Sequence, residues 1–339
     1  MKVNIGIAGC GYWGKNLVRN FFEVENCWLS SIVDENTKTL DEINKRYPSL
    51  KTYTDYKELL NSEEVNTVVI STPANTHYQM VKDALLADKH VLVEKPFVRS
   101  IGQAKELAEL AEKRNKILMV DHTFLFTGAV RKIKELMDAN EIGNVLYYDS
   151  VRINLGLFQK DVNVIWDLAP HDISIMCYLL KEEPVSVSAC GIAHLKEDIE
   201  NIAYLVLYFK NSMIAHFHFN WLAPVKVRLT LIGGSEKMIV YDDTEPSEKI
   251  KVYDKKVRVF DPSVSPENEF KPLYDYRTGD MWAPKVDLSE ALGYMCKEFV
   301  DSIAEERQPL SNGEFGLKVV RILEAAQKSI KNKGKEVKL

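Results

Sequence analysis

Among 339 residues only five are cysteine, Cys10, Cys27, Cys177, Cys190 and Cys296, and no two stand at a metal-binding spacing. That scarcity argues against a metal site and fits the reduced thiols of a cytoplasmic protein. The chain also lacks a long basic block. With a net charge of −5, it does not suggest nucleic acid or an anionic membrane as a partner. No apolar run is long enough to span a bilayer, and the first residues already read as a strand, so neither a membrane anchor nor a signal peptide is expected. Internal repeats and low-complexity segments are missing too. What is there is ordinary for a globular protein: 46% hydrophobic and 27% charged residues, in a chain long enough for two domains.

The most informative stretch comes first. An apolar run at 3–8 leads into Gly9-Cys10-Gly11-Tyr12-Trp13-Gly14, then a helical pattern at 15–23, then a second apolar run at 29–33 ending in Asp34, 20 residues after Gly14. Each glycine has a physical reason. Gly9 permits the tight turn, Gly11 lets a pyrophosphate approach the backbone, and Gly14 lets the helix pack close to the strand. The helix N-terminus then offers N–H groups and a positive dipole end to phosphates. Asp34 can accept both hydroxyls of an adenine ribose and, with Glu35, repels a 2′-phosphate, so the pattern predicts NAD rather than NADP. Cys10, inside the turn, reads as a small filler residue.

Strands and helices alternate up to about residue 121, with apolar strands also at 67–71, 90–93 and 117–120. That rhythm predicts a doubly wound parallel sheet. Beyond a helix at 129–139 the pattern shifts to short, alternating runs at 145–154, 185–193, 202–209, 212–221, 225–233, 236–242, 249–253 and 257–260, with a helix near 170–180 between the first two. Period-two alternation with short connections predicts a large, mainly antiparallel open sheet. Residues 262–282 read as a long polar-aromatic loop, and helices near 288–305 and 316–331 close the chain.

Three further motifs fall where chemistry is placed in such a sheet, beyond the strands' carboxyl ends. Ser71-Thr72-Pro73-Ala74-Asn75-Thr76-His77 follows the third apolar strand and should border the cofactor's ribose and nicotinamide. Pro73 would end the strand, Asn75 or Thr76 would cap the next helix, and His77 would support the loop rather than react. Glu94-Lys95-Pro96 ends the fourth strand, with Glu94 holding the Lys95 ammonium. Such a lysine can donate to a hydroxyl or carbonyl, although alone it reads rather as a solvated side chain. In Trp166-Asp167-Leu168-Ala169-Pro170-His171-Asp172, Asp167 and His171 stand four apart and can share a helix face. A carboxylate there would orient the imidazole as a general base. Taken alone, the pair reads better as Asp167 capping a helix and His171 as a polar core residue.

The whole set resembles the glucose–fructose oxidoreductase, inositol dehydrogenase and rhizopine-catabolism (Gfo/Idh/MocA) family. The resemblance runs through the glycine motif, Thr72-Pro73 with His77, Lys89-His90-Val91 into Glu94-Lys95-Pro96, the Asp167–His171 pair, the strand-rich half and the closing Pro309-Leu310-Ser311-Asn312-Gly313. It implies an NAD-binding Rossmann domain over 1–122 and a substrate-binding and oligomerisation α/β domain over 123–339. It implies a homo-oligomer, tetramer or dimer, built on an open sheet face. Lys95 and His171 would lie at the substrate, with His171 taking the hydroxyl proton and Asp167 supporting it. Glu94 and Lys95 join Gly9, Gly11, Tyr12, Trp13, Gly14, Asp34, Thr72, Pro73, Asn75 and His77 at the cofactor. The stretches 152–156, 163–171 and 221–234 look like the sugar-nucleotide branch that oxidises a C3 hydroxyl, which adds Arg152, Asn163 and Trp166 as substrate contacts. UDP-N-acetylglucosamine or its glucuronate form is the implied substrate. A free polyol such as inositol, or a non-catalytic NAD sensor, stays open. Where many members carry an Arg-Phe or Arg-Tyr pair, this chain has His122-Thr123-Phe124-Leu125-Phe126.

Overall fold

The computed structural model describes residues 2–156, 158, 162–196, 199–259 and 274–339. The chain forms two units, one of Met1–Phe126 with Glu290–Glu324, the other of Thr127–Ser289 with Ala325–Leu339. A single cut after residue 122 therefore needs correction, because a carboxyl-terminal segment returns to the first unit.

The first unit begins β1 (Val3–Ala8), α1 (Tyr12–Glu23), β2 (Cys27–Val33), α2 (Thr37–Arg46), β3 (Lys51–Tyr53), α3 (Tyr56–Asn61), β4 (Thr67–Ile70), α4 (His77–Leu86), β5 (His90–Glu94), α5 (Ile101–Lys113) and β6 (Leu118–Asp121). The six strands are all parallel, in the order β3-β2-β1-β4-β5-β6. Val68, Val69 and Ile70, like Val91, Leu92 and Val93, are buried without a polar alternate, as expected of strands covered on both faces. The strand order reverses between β1 and β4, which opens a crevice at their carboxyl ends.

The second unit holds α6 (Gly128–Asp138), β7 (Val145–Leu155), α7 (Val164–Leu179), β8 (Ser186–Ile192), β9 (Ile202–Tyr208), β10 (Ile214–Asn220), β11 (Leu222–Gly234), β12 (Met238–Asp242), β13 (Ile250–Val259) and β14 (Tyr274–Trp282). After them come α8 (Ala291–Ala304) in the first unit, α9 (Gly313–Lys331), whose residues divide between the units after Glu324, and β15 (Val337–Lys338) in the second. The nine-stranded sheet runs β14-β13-β12-β11-β7-β10-β9-β8-β15, and its only parallel pair among the described residues is β7 with β10. One face buries Leu205, Leu207, Ala215, Phe217 and Phe219, while Tyr204, Tyr208 and Ile214 on the other stay exposed.

Two expectations are corrected here. Residues 274–282, read as loop, form β14. It pairs with β13 through its backbone while all but Trp282 of its residues stay exposed, so it has no apolar stripe to betray it. The rest of that expected loop, 262–273, and Phe260 lie outside the described residues. The helix expected near residue 170 starts at Val164, because the Asn163 side chain caps it by accepting from the Trp166 N–H at 3.1 Å. Pro170 sits inside α7 and leaves the Trp166 carbonyl without its helical donor.

Candidate functional site

In the first unit the three glycines meet the three demands placed on them. Gly9 has φ +87°, a left-handed conformation, and a Cβ there would stand 2.7 Å from the Ser71 carbonyl. A Cβ at Gly14 would land on the Gly9 carbonyl oxygen, whereas one at Gly11 would meet nothing within 4 Å. The chain is thus crowded where α1 packs on β1 and open where a phosphate would approach. Gly11 is the N-cap of α1, no side chain caps the helix, and no acid lies in its first turn. Its N-terminal N–H groups and dipole suit an anion. Tyr12 and Trp13 flank that end, 78% and 46% exposed.

Asp34 is held by the turn it serves. Its Oδ2 accepts from the Cys10 N–H at 2.7 Å and its Oδ1 from the Asn36 N–H at 2.8 Å. A carboxylate has about four acceptor positions, so one on each oxygen remains for a ribose hydroxyl. Burial, followed by the Asp34 charge, pushes the Cys10 thiol up to about 12, so it stays protonated as a filler. Ser71, which the pattern does not single out, donates from Oγ to the Gly9 carbonyl at 2.6 Å and ties β4 to the glycine turn.

The Thr72–His77 loop is organised by His77. Its two ring nitrogens lie 2.9 Å from the carbonyls of Pro96 and Thr72, bridging the loops that follow β4 and β5. Burial pushes its pKa down, and a neutral ring donates to one of these carbonyls. Thr76 is the N-cap position of α4, yet its hydroxyl bonds the Pro73 carbonyl and the Thr72 hydroxyl instead of a helix N–H, which corrects the capping expectation. Pro73 and Asn75 are exposed beside it.

Lys95 is half-buried at the end of β5. Its backbone N–H, at 3.2 Å, donates to Glu94 Oε2, while the Glu94 side chain turns inward and is 8% exposed. Glu94 is thus a buried acid directly opposite Asp121 in the strand pair. His122 is buried against Phe315 and held neutral, its pKa pushed down to about 3 by burial and then by Lys95.

In the second unit Asp167 and His171 are half-buried one turn apart on α7, off the face that carries Ile165, Ala169, Ile173 and Met176. Asp167 lies in the first helical turn, where the dipole favours a negative charge. Trp166 is half-buried beside them. The other two expected substrate contacts have structural partners. Arg152 and Asp172 form a buried two-bond ion pair at 2.5 and 3.1 Å, each side chain 5% exposed. Asn163 caps α7 with its carbonyl and donates both amide hydrogens, to Glu200 at 2.6 Å and to Gln327 at 2.5 Å. Among the described residues no group of three or more His, Cys, Asp or Glu could hold a metal, and no helix is long and apolar enough to cross a membrane.

Residues 3–122 match an oxidoreductase family with an NAD-binding Rossmann fold, and residues 130–240 match the GFO/IDH/MocA C-terminal domain. The chain belongs to the Gfo/Idh/MocA family of oxidoreductases. An uncharacterized oxidoreductase of Schizosaccharomyces pombe is 36% identical over 179 residues, which cover 50% of this chain and 47% of that protein. The myo-inositol 2-dehydrogenase of Thermotoga maritima is 24% identical over 99% of this chain and 98% of its own. The UDP-N-acetylglucosamine 3-dehydrogenase of Acidithiobacillus ferrooxidans is 26% identical over 64% of this chain and 66% of its own. GenD2 from gentamicin A biosynthesis, solved in complex with NAD, superposes with TM-score 0.82 at 22% identity, covering 100% of this chain and 96% of that one. As a Gfo/Idh/MocA protein the chain is an NAD-binding oxidoreductase, and the open Gly11, the uncapped α1 and the lone pairs of Asp34 fit that cofactor.

The buried pair yields a prediction. Arg152→Met strands the Asp172 charge and should cost about 3–5 kcal/mol in urea unfolding, while Arg152→Met with Asp172→Leu should recover most of it. A small stability loss with a large rise in KM would instead return Arg152 to the substrate.

Proposed function

We propose that the protein is an NAD-dependent dehydrogenase that oxidises the C3 hydroxyl of a sugar nucleotide, UDP-N-acetylglucosamine or its glucuronate form, to a 3-keto sugar. The observation that carries the reading is the carboxylate–imidazole pair one turn apart on α7, in a chain that also places a lysine at the carboxyl end of a Rossmann strand. The likeness to a UDP-N-acetylglucosamine 3-dehydrogenase supports the substrate. A free polyol such as inositol is the second reading, favoured by the near full-length match to a myo-inositol 2-dehydrogenase.

Bound NAD supplies a hydride acceptor. His171 takes the hydroxyl proton, and Asp167 orients its ring and favours the imidazolium that results. Lys95 donates to the reacting oxygen and offsets the negative charge that develops there. The substrate loses one hydride and one proton, and a carbonyl remains. A sensor that merely binds NAD would need neither Lys95 nor His171.

Incubating the protein with NAD and either UDP-sugars or inositol, followed by mass spectrometry, identifies the product. His171→Asn should lower kcat by about 10²–10⁴ and keep NADH binding, Lys95→Met should lose a comparable amount, and Asp167→Asn should lose less because it acts through His171. The readout is single-turnover hydride transfer. Near-normal rates in both His171→Asn and Lys95→Met would place the chemistry elsewhere.

For the cofactor, Asp34→Ala should weaken NADH binding and its preference over NADPH by one to two decades, since hydrogen bonds to charged groups contribute about 1.5–3 kcal/mol. Tighter binding of NADPH than NADH by the unaltered protein would overturn the assignment.

A homo-oligomer, tetramer or dimer, accompanies this reading. Cys190, Tyr204 and His218 pair across neighbouring strands on the exposed face of the second unit's sheet, and Tyr208 pairs with Ile214 on the same face. Sedimentation should show more than one chain per particle at micromolar concentration, and a monomer there would contradict it.

A further inference from the structure

β5 and β6 end side by side, with Glu94 directly opposite Asp121 in the parallel register. Both side chains are buried, 8% and 2% exposed. Each has one oxygen with a donor. Thr123 Oγ1 donates to Asp121 Oδ1 at 2.5 Å, and the Lys95 N–H donates to Glu94 Oε2. The remaining oxygens, Glu94 Oε1 and Asp121 Oδ2, have no donor, although the two residues are direct partners across the strand pair. Two ionised carboxylates cannot satisfy one another, since both only accept. One proton between them makes one oxygen a donor and the other its acceptor.

We propose that Glu94 and Asp121 hold a single proton between them and act as one buried monoanion beside Lys95, with Asp121 a positioning residue for the Lys95 ammonium. Every titratable group around the pair agrees with that state. Lys95 is the cation that acts on both carboxyls and draws them toward ionisation. His122, from the turn after β6, is neutral, and so is His77. Cys296 of α8 stays a thiol, pushed up by burial and by these acids. Burial raises both carboxyls, most strongly Glu94, and Asp121 raises Glu94 further. With one shared proton the pair and Lys95 sum to zero charge. A second ionisation would leave an excess negative charge in a buried place, and a second protonation would leave Lys95 without a counter-charge. The pair's charge thus sets the counter-charge that Lys95 faces. That consequence for catalysis rests on the reading of Lys95 given above, whereas the shared proton does not.

The test uses the whole protein without substrate or cofactor. Carbon-13 NMR of Asp- and Glu-labelled protein, assigned with Asp121→Asn and Glu94→Gln, should show one proton kept by the pair well above the ordinary carboxylate range near pH 4. Both carboxyls ionised by roughly pH 6 would overturn it. In Asp121→Asn the amide can donate to Glu94 and the Asp121 charge is gone, so Glu94 should titrate below the pair although burial still raises it. A carboxyl raised in the native state keeps a proton that the unfolded chain has lost. The unaltered protein should therefore lose stability relative to Asp121→Asn as pH rises from about 4, by up to about tenfold in the folding constant per pH unit, until the shared proton leaves. Parallel stability curves would contradict the proposal. For the positioning role, the reductively methylated Lys95 signal, assigned with Lys95→Met, should move in a separate step when the pair loses its proton. Absence of that step, or its persistence in both Asp121→Asn and Glu94→Gln, would remove Asp121 from Lys95. Because no reading depends on turnover, failure here is distinct from failure of the proposed reaction.

Discussion

The first unit hangs on one close approach. A Cβ at Gly14 would occupy the place of the Gly9 carbonyl oxygen, so α1 begins as near to the end of β1 as backbone allows. Ser71 fixes that carbonyl from β4, and Asp34 fixes the next N–H from β2. Three strands are thereby tied to one turn, and the N-terminus of α1 is aimed out of it. The openness at Gly11 follows from the crowding on either side. An alanine at Gly14 would separate helix from strand and move the phosphate-binding end away from the carboxylate that serves the ribose.

Charge inside each unit is handled differently. In the second, Arg152 and Asp172 neutralise one another where both are buried, and together they fix the residue after His171 to β7. In the first, two acids stand opposite each other with one cation, an arrangement that has no comfortable state with both acids ionised. The Glu94–Asp121 pair lies at the end of a strand pair, next to a lysine, where buried charge would otherwise be excluded. Sites of that sort are where proteins retain groups that packing alone would replace with leucine.

The parallel sheet and its glycine turn were legible because both are written in local sequence: fully apolar runs, three glycines with separate steric duties, and an acid at the end of the second strand. The later strands were legible where one face is buried. β14 was not, since its residues stay exposed and backbone pairing alone holds it. The start of α7 was misplaced because Pro170 is a stronger local signal than an asparagine cap seven residues before a proline. The candidate site was legible only by residue type. Sequence places Arg152, Asn163 and Glu94 near the right elements, but burial decides their partners, and burial depends on what packs across from them. Asp172, Glu200, Gln327 and Asp121, which engage them, lie 20, 37, 164 and 27 residues away.

The distribution of the seven histidines narrows the choice of base. His77 is held between two carbonyls, and His122 is neutral in an apolar place. His90 accepts from the Ile117 N–H, with burial pushing its pKa down to about 4. His194 is bonded to Asn201 at 2.8 Å. His216 and His218 stack with Tyr204 on the outward face of the second unit's sheet. None of these six has a carboxylate one turn before it on a helix. His171 does, and its helix begins at a side-chain cap and carries the buried ion pair at the next residue. A base must be oriented as well as basic, because proton transfer falls off steeply with misalignment. Asp167 can supply the charge, the Asn163 cap fixes the helix start, and Arg152 fixes the turn that carries the ring. Of the seven rings, this is the one that follows a carboxylate by one helical turn, which is what supports it as the proposed base.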